Sequence, residues 1–301
     1  MNIMILVNKD FEYAGYRAGV DSRIRANAAS NLNVIAYDTG VGPDKLHMSR
    51  MYKLGEHTVK EYCISYLFPA GANTSNSEMK YSLVRNLIKQ ENGKNKIGLI
   101  ISVSTSESTE KAEEGYDSLN GCVFIGDKFY VRDCRDCDTS TTSYLKVDNQ
   151  YYNGHVDETI YDLLKTKKVQ LKTGMKTAPR VPNPNPFVYV DTDIISLGVV
   201  NVVNYSAYSD ADPKTYDEYK DNKKYNEIPV CLETTHVVVK MAESDVMGDK
   251  TKVLFVSPIV DRYRHFNDDV DDKWGNQNLT CSYNAGVVVA NMLENVINEL
   301  H

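Results

Sequence analysis

Cysteine is scarce in this chain. Six in 301 residues are too few for a disulfide-built scaffold and fit a reducing compartment, so a cytoplasmic protein is expected. Only Cys134 and Cys137 stand at metal-like spacing. A single C-x-x-C without a second pair nearby reads as a surface loop, and no metal is expected. Long apolar runs are missing too: no segment approaches the roughly 20 continuous apolar residues of a membrane-spanning helix. The first residues form a strand pattern, not a basic region leading into an apolar signal segment. Positive charge is in deficit, with 34 Lys and Arg against 41 Asp and Glu and a net charge of -7. That balance argues against a surface built for a phosphate backbone and hence against a nucleic-acid polymer as partner, while leaving room for a nucleotide in a small pocket. Internal repeats, low-complexity segments and convincing linkers are absent as well.

What is present is periodic. A hydrophobic content of 42% over 301 residues can bury a substantial core, and one domain spanning 1–301 is expected. Asn2 to Val7 reads as a buried first strand with a helix soon after it, and Asn33 to Tyr37 as a second strand. The turn Asp38-Thr39-Gly40-Val41-Gly42-Pro43 follows, with glycines that let backbone approach a ligand. A helix over 76–90, capped by Asn76 or Ser77, precedes a central strand from Lys96 to Val103. After it, Ser104 to Thr109 is a run of hydroxyls in loop position. Asn120 to Asp133 alternates like a bent strand pair with glycines at the bend. Residues 173–186 are rich in Pro and Asn and read as a long surface loop. Ile194 to Asn204 is a strongly apolar strand, and Asp210 to Asn226 is polar and helix-tolerant. Lys252 to Ile259 is a hydrophobic strand. The last helix, about Gln277 to Leu300, carries an apolar face at Val288, Met292, Val296 and Leu300 and at Val289, Leu293 and Ile297. Strands separated by helical stretches indicate an α/β layer structure.

Three acids stand out against this frame. Asp261 follows the strand Lys252–Ile259, which carries it to the rim where α/β proteins place their chemistry. Glu233 lies in the apolar run Ile228-Pro229-Val230-Cys231-Leu232-Glu233. Glu12 follows the first strand. Each has a structural alternative: Asp261 as a turn cap, Glu233 as a first-turn helix acid favoured by the dipole, Glu12 as a solvated residue near a helix start. For Trp274, the only tryptophan, the bland role is core packing near the last helix.

These residues, in this order, resemble the nucleoside phosphorylase and nucleosidase superfamily, which holds purine nucleoside phosphorylase, methylthioadenosine nucleosidase and AMP nucleosidase. The opening strand running to Glu12 is similar to the family's strand leading into a catalytic acid. Thr39-Gly40-Val41-Gly42 resembles its Gly-containing turn, and Asn120 to Asp133 resembles its mid-chain strand, Gly and Asp passage. Cys231-Leu232-Glu233 resembles its Glu-Met-Glu signature and Ile259-Val260-Asp261 its Ile-Ser-Asp. His265, Asn267, Asp268 and Trp274 resemble the residues before the last helix in the nucleosidase branches. The chain departs from the pattern at three places. Val103 to Glu107 holds no glycine where the family has a Gly-rich turn, Cys231 replaces the first Glu, and Val260 replaces the Ser before the Asp.

The resemblance implies a single twisted mixed β-sheet, partly barrel-like and flanked by helices, and cleavage of an N-glycosidic bond. Such cleavage builds positive charge on the sugar and negative charge on the departing base, so a proton donor at the base and anionic groups near the sugar lower the barrier. Asp261 fits the donor, shielded at the rim by Phe266 and Trp274. By resemblance, Glu12 orients and deprotonates the attacking water and Glu233 accepts hydrogen bonds from the ribose hydroxyls. Leu232, Thr105, Ser106 and Gly40 line the substrate, and Tyr208 stands where an aromatic covers the purine. The expected ligand is a small nucleoside or nucleotide, with no cofactor and a homo-oligomeric assembly. Phosphorolysis, with inorganic phosphate as co-substrate, is the runner-up: Arg17, Arg23 and Arg25 are the candidate anion ligands, and the glycine-free hydroxyl loop is a poor cradle. A catalytically silent relative that binds a nucleoside-like ligand or builds an oligomer is the alternative of another class, motivated by Cys231 and the missing glycines.

Overall fold

The computed structural model describes residues 1–26, 32–36, 50–74, 77–108, 119–126, 128–132, 158–190, 193–197, 230–231, 251–262 and 266–299. The strands are β1 Asn2–Val7, β2 Leu32–Ala36, β3 Arg50–Leu54, β4 His57–Cys63, β5 Ile97–Val103, β6 Ser106–Ser108, β7 Val123–Gly126, β8 Lys128–Arg132, β9 Val188–Val190, β10 Asp193–Leu197, β11 Val230–Cys231 and β12 Lys252–Arg262. The helices are α1 Asp10–Ala26, α2 Ser77–Lys94, α3 Glu158–Thr166, α4 Lys168–Leu171, α5 Phe266–Asp269 and α6 Asn276–Asn295.

These strands form one mixed sheet in the order β2-β3-β4-β1-β5-β12-β6-β11-β10-β8, with β7 paired to β12 and β9. Among the described residues no pairing joins β2 to β8, so the sheet is open and the barrel-like curvature does not close. At its centre β4, β1, β5 and β12 run parallel. Such strands are covered on both faces, which explains the nearly unbroken apolar sequences of β1, β5 and β12. Because side chains alternate along a strand, each one feeds two cores. Ile3, Ile5, Val7, Leu99, Ile101, Val103, Leu254 and Val256 meet Tyr16 and Val20 of α1 and Val288, Val289 and Met292 of α6. Met4, Leu6, Ile100, Val253 and Phe255 meet Val84, Leu87 and Ile88 of α2 on the other face.

Helices α1 and α6 approach each other closely and run parallel. A Cβ on Gly15 would lie 2.5 Å from the Leu279 carbonyl oxygen, one on Gly19 2.1 Å from that of Tyr283, and one on Gly286 1.9 Å from that of Tyr16. Further along, Arg23 donates from Nε to Asn291 Oδ1 at 2.9 Å. The pairing of 15 with 279 and 23 with 291 sets the first turns of both helices at one rim of the sheet, where β1, β5 and β12 deliver their carboxyl ends. Beneath α1, Glu61 accepts from Arg50 Nε at 2.8 Å and Nη2 at 2.9 Å, from the Tyr52 hydroxyl at 2.7 Å and from that of Tyr16 at 3.1 Å. Arg50 also pairs with Asp21. Arg50 and Glu61 are both fully buried.

The structure extends or corrects several expectations. The hydroxyl run was expected to be a loop, but Ser106–Ser108 is a strand, because β12 continues beyond its pairing with β5 and offers its backbone to β6. For the same reason Asp261 lies within β12 instead of beyond its end. Residues 120–133 do contain two strands, yet β7 and β8 are not partners: β7 pairs with β12 and β9, and β8 with β10. The 173–186 segment has no regular structure but is pinned. Asn284 Nδ2 donates to the Lys176 and Gly121 carbonyls, and Asn291 Nδ2 to those of Leu171 and Thr173. Residues 198–204 of the strand expected from Ile194, the polar stretch 210–226, Asn76, Cys134 and Cys137 lie outside the described residues.

Candidate active site

The site grows from a break between β5 and β6. Val256 of β12 pairs with Val103, and the Ser104 amide donates to the Val256 carbonyl at 3.3 Å. β6 then resumes the ladder with Ser106 opposite Ile259. The skipped residue is Thr105, which is turned toward α1. Its amide donates to Glu12 Oε1 at 2.9 Å and its hydroxyl to the same oxygen at 2.6 Å. The Lys9 amide donates to Oε2 at 2.8 Å. Glu12 is the third residue of α1, and reaching back to the amide just ahead of the helix is half of a capping box. Three donors converge on it, a pattern matched to a carboxylate acceptor. Glu12 is 2% exposed, so the solvated alternative does not hold.

Asp261 reaches the same rim from β12. Its position depends on an irregularity: the register with β6 slips between Ile259 and Asp261, so Val260 is an extra residue in the ladder. Bulges of this kind re-aim the next side chain. Two buried side chains secure it. Gln277 Nε2 donates to the Val260 carbonyl at 2.6 Å, and Asp269 Oδ2 accepts from the Arg262 amide at 2.7 Å. The peptide units on either side of Asp261 are therefore both clamped by elements that follow it in sequence. Asp261 is 8% exposed, turned away from bulk solvent. Ser106, next to Thr105 and opposite Ile259 in the ladder, is buried, and its hydroxyl has no hydrogen-bond partner among the described residues. A buried hydroxyl left in that state costs free energy that a ligand could recover.

The structure thus brings Glu12, Thr105, Ser106 and the strand bearing Asp261 to one rim. Cys231 is placed in β11 opposite Ser106. Glu233, Leu232, Tyr208, Gly40 and His265 lie outside the described residues. The three arginines suggested as anion ligands divide differently. Arg17 pairs with Asp21 at 3.9 Å and Arg23 is engaged by Asn291, so both sit on later turns of α1, away from its first turn. Arg25 is further along the same helix. Trp274 is not a core residue: it is 46% exposed and meets Phe11 edge-on, with ring centroids 6.3 Å apart. Its cause is the turn 271–275, whose Asp272 carboxylate accepts the Trp274 amide at 2.6 Å. Missed in the sequence were Gln277 and Asp269, whose importance depends on the bulge.

Three buried thiols have raised pKa values. Burial pushes Cys63 and Cys281 well above the ordinary thiol range, and Cys122 up to about 11. For Cys281 the carboxylates of Asp261 and Asp269 add to the effect of burial. Among the described residues no group of three metal-ligating side chains gathers, and no helix is long and apolar enough to cross a membrane.

The open mixed sheet flanked by helices is the fold of solved α/β nucleosidases, and the chain shares that fold. The particular likenesses are to methylthioadenosine and adenosylhomocysteine nucleosidases. The S-adenosylhomocysteine nucleosidase of Streptococcus pyogenes, solved with 5-methylthiotubericidin, superposes with a TM-score of 0.55 at 13% identity, covering 98% of this chain and 97% of that one. The 5'-methylthioadenosine/S-adenosylhomocysteine nucleosidase of Colwellia psychrerythraea, bound to adenine, gives 0.56 at 10% identity, covering 98% and 96%. The Arabidopsis thaliana 5'-methylthioadenosine nucleosidase in its apo form gives 0.55 at 13% identity, covering 100% and 97%. No family model matches the chain, and no curated protein matches it by sequence.

Proposed function

We propose that this chain cleaves the N-glycosidic bond of a purine nucleoside or nucleotide with water, releasing free base and sugar. The observation that carries the proposal is that two buried acids from opposite ends of the sequence lie on adjoining elements at one rim: Glu12 holds Thr105, the residue before β6, and Asp261 belongs to the strand paired with β6. Asp261 donates a proton to the departing base, which needs it because negative charge accumulates there as the bond breaks. Glu12, fixed by Thr105 and Lys9, orients the attacking water and takes its proton. Ser106 offers its buried hydroxyl to the sugar, and Thr105 stands beside it. Glu233 accepts from the ribose hydroxyls and stabilises the oxocarbenium-like state. Its role is supported by the course of β11, which runs antiparallel to β6 and so is directed toward Thr105. Leu232, Gly40 and Tyr208 complete the substrate contacts, Tyr208 over the base.

Water is favoured over phosphate because Arg17 and Arg23 are engaged along the length of α1 instead of converging at the rim. The chain acts without a cofactor, as one domain over 1–301, in a homo-oligomer in the cytoplasm. The test is incubation with purine and pyrimidine nucleosides and nucleotides, 5'-methylthioadenosine and S-adenosylhomocysteine included, read as liberated base with and without inorganic phosphate. Release independent of phosphate is expected. Silence across the panel with phosphate supplied refutes the proposal in favour of a ligand-binding or structural role.

A further inference from the structure

Three amide side chains, Gln277, Asn284 and Asn291, recur at i, i+7 and i+14 on one face of α6, and each is fully buried. All three hold the same stretch of chain. Asn291 Nδ2 donates to the Leu171 and Thr173 carbonyls at 2.8 and 3.1 Å, and its Oδ1 accepts from Arg23 Nε at 2.9 Å. Asn284 Nδ2 donates to the Lys176 carbonyl at 2.7 Å and the Gly121 carbonyl at 2.8 Å, and its Oδ1 accepts from the Lys176 amide at 2.7 Å. Gln277 Oε1 accepts from the Arg180 amide at 3.1 Å, so residues 171–180 run antiparallel to α6 and are tied to it at each of these side chains. At Gln277 the tie reaches the rim, because its Nε2 donates to the Val260 carbonyl at 2.6 Å. That carbonyl belongs to the peptide unit whose nitrogen is that of Asp261. The sheet gives it no ladder position, since Val260 is the extra residue against β6 and the pairing with β7 ends at Pro258.

We propose that Gln277 is a positioning residue for the acid of the base-cleaving site, and that the 171–180 segment reaches the site through it: the Arg180 amide sets the Gln277 carboxamide, whose other half sets the peptide unit carrying Asp261. The inference rests on the glycosidase function proposed above. The need for an amide follows from the two partners. Arg180 presents an N–H and Val260 a C=O, so the group between them must accept with one atom and donate with the other. A carboxylate, an ammonium or a hydrocarbon fails at one contact or both. Distance makes the clamp matter. A proton donor must lie within about 2.6–3.2 Å of the atom it serves, and a misplacement of about 1 Å can cost about 10²-fold in rate. A continuous strand ladder would hold Asp261 to that tolerance. The slip at Val260 interrupts the ladder just ahead of it, and Gln277 supplies the missing tie.

The experiment is single-turnover release of adenine from saturating 5'-methylthioadenosine by Gln277→Met and Asn291→Leu beside the wild type, with stability followed in urea and rates expressed per folded molecule. Both variants lose buried hydrogen bonds between α6 and the 171–180 segment, so both unfold at lower urea than the wild type. Only Gln277→Met loses the tie to Val260. Its rate is expected to fall by roughly 10- to 100-fold. The substrate concentration for half-saturation changes little, because both polar atoms of Gln277 are occupied by backbone. Asn291→Leu, at the far end of the segment, keeps the wild-type rate. A purely structural Gln277 lowers stability and leaves the rate per folded molecule where it was, which overturns the inference. An equal loss of rate in Asn291→Leu overturns it as well, since the effect is then general loosening of the segment. If Gln277→Met does not fold, Gln277→Asn carries the test: it keeps a buried amide one methylene too short to span both partners, and a wild-type rate there overturns the inference. Failure of the underlying function is distinguishable, since a wild-type protein that releases no base removes both proposals together. An active wild type, abolished by Asp261→Asn but with an unmoved rate in Gln277→Met, removes only this one.

Discussion

Replacing Gly19 with Ala adds one methyl group, and the surroundings of that methyl decide the sign of the effect. In an exposed helix interior, Gly→Ala stabilises by about 0.5–1 kcal/mol, because the unfolded chain loses freedom that glycine would have retained. At Gly19 the new Cβ would lie 2.1 Å from the Tyr283 carbonyl oxygen and 2.9 Å from the Val287 amide nitrogen. The first distance is more than 1 Å inside ordinary contact, and both obstacles are main chain of α6, which has no rotamer to change. The helices must separate, opening the tightly packed seam of Tyr16, Val20, Ala285 and Val289. Overpacking of this kind costs about 1–3 kcal/mol, and separating two backbones takes the upper part of that range, so a net loss of about 2 kcal/mol is expected. Gly93, in α2, is the control, since nothing lies within 4 Å of its Cβ position. Gly93→Ala should be neutral or stabilising by up to about 1 kcal/mol. Urea denaturation of both variants decides the matter. If Gly19→Ala is as stable as Gly93→Ala, the close parallel crossing of α1 and α6 is wrong, and with it the reason Glu12 stands at the rim.

Two further outcomes follow from the buried polar groups. Glu61→Gln leaves the guanidinium of Arg50 buried with only its partner Asp21, and breaking a buried pair from one side costs about 3–5 kcal/mol; a loss below about 1 kcal/mol in chemical denaturation would contradict the buried cluster. In the alkaline range, burial holds the Cys122 thiol up to about 11 against 9.0 unperturbed. Below the unperturbed value both states are protonated and stability is fully present. Above it the unfolded state releases its proton first, so stability falls as pH rises from about 9 to about 11, by roughly 2–3 kcal/mol from this group. Thermal melts across that range should decline, and the native thiol should resist alkylation near neutral pH.

Much of the frame was legible because hydrophobic periodicity acts locally. The boundaries of the first strand and of the central strand follow from runs in which nearly every residue is apolar, as burial on both faces requires. Glu12 and Asp261 were legible as buried acids for a related reason, since each follows such a run. Pairing was not legible. Nothing in Asn120 to Asp133 reveals that its two strands seek different partners, because partner choice depends on backbone groups offered by β12, distant in sequence. Nothing in Ser104 to Thr109 shows that three of these polar residues complete a ladder. Asp269 and Gln277 read as an ordinary helix acid and an ordinary amide. They matter because a one-residue slip at Val260 frees a carbonyl and an amide that must find partners. Trp274 failed as a core candidate because the short turn before α6, not residue size, fixes its exposure.

The account as a whole depends on Asp261 acting as the proton donor to a departing base from a buried place on the rim. The most direct measurement is base release by purified Asp261→Asn beside the wild type, in single-turnover experiments with saturating 5'-methylthioadenosine and with folding checked by thermal melt. General acid–base groups contribute about 10²–10⁴-fold, and a loss of that size in a folded variant that still binds the nucleoside is predicted. A variant that releases adenine at the wild-type rate would contradict it.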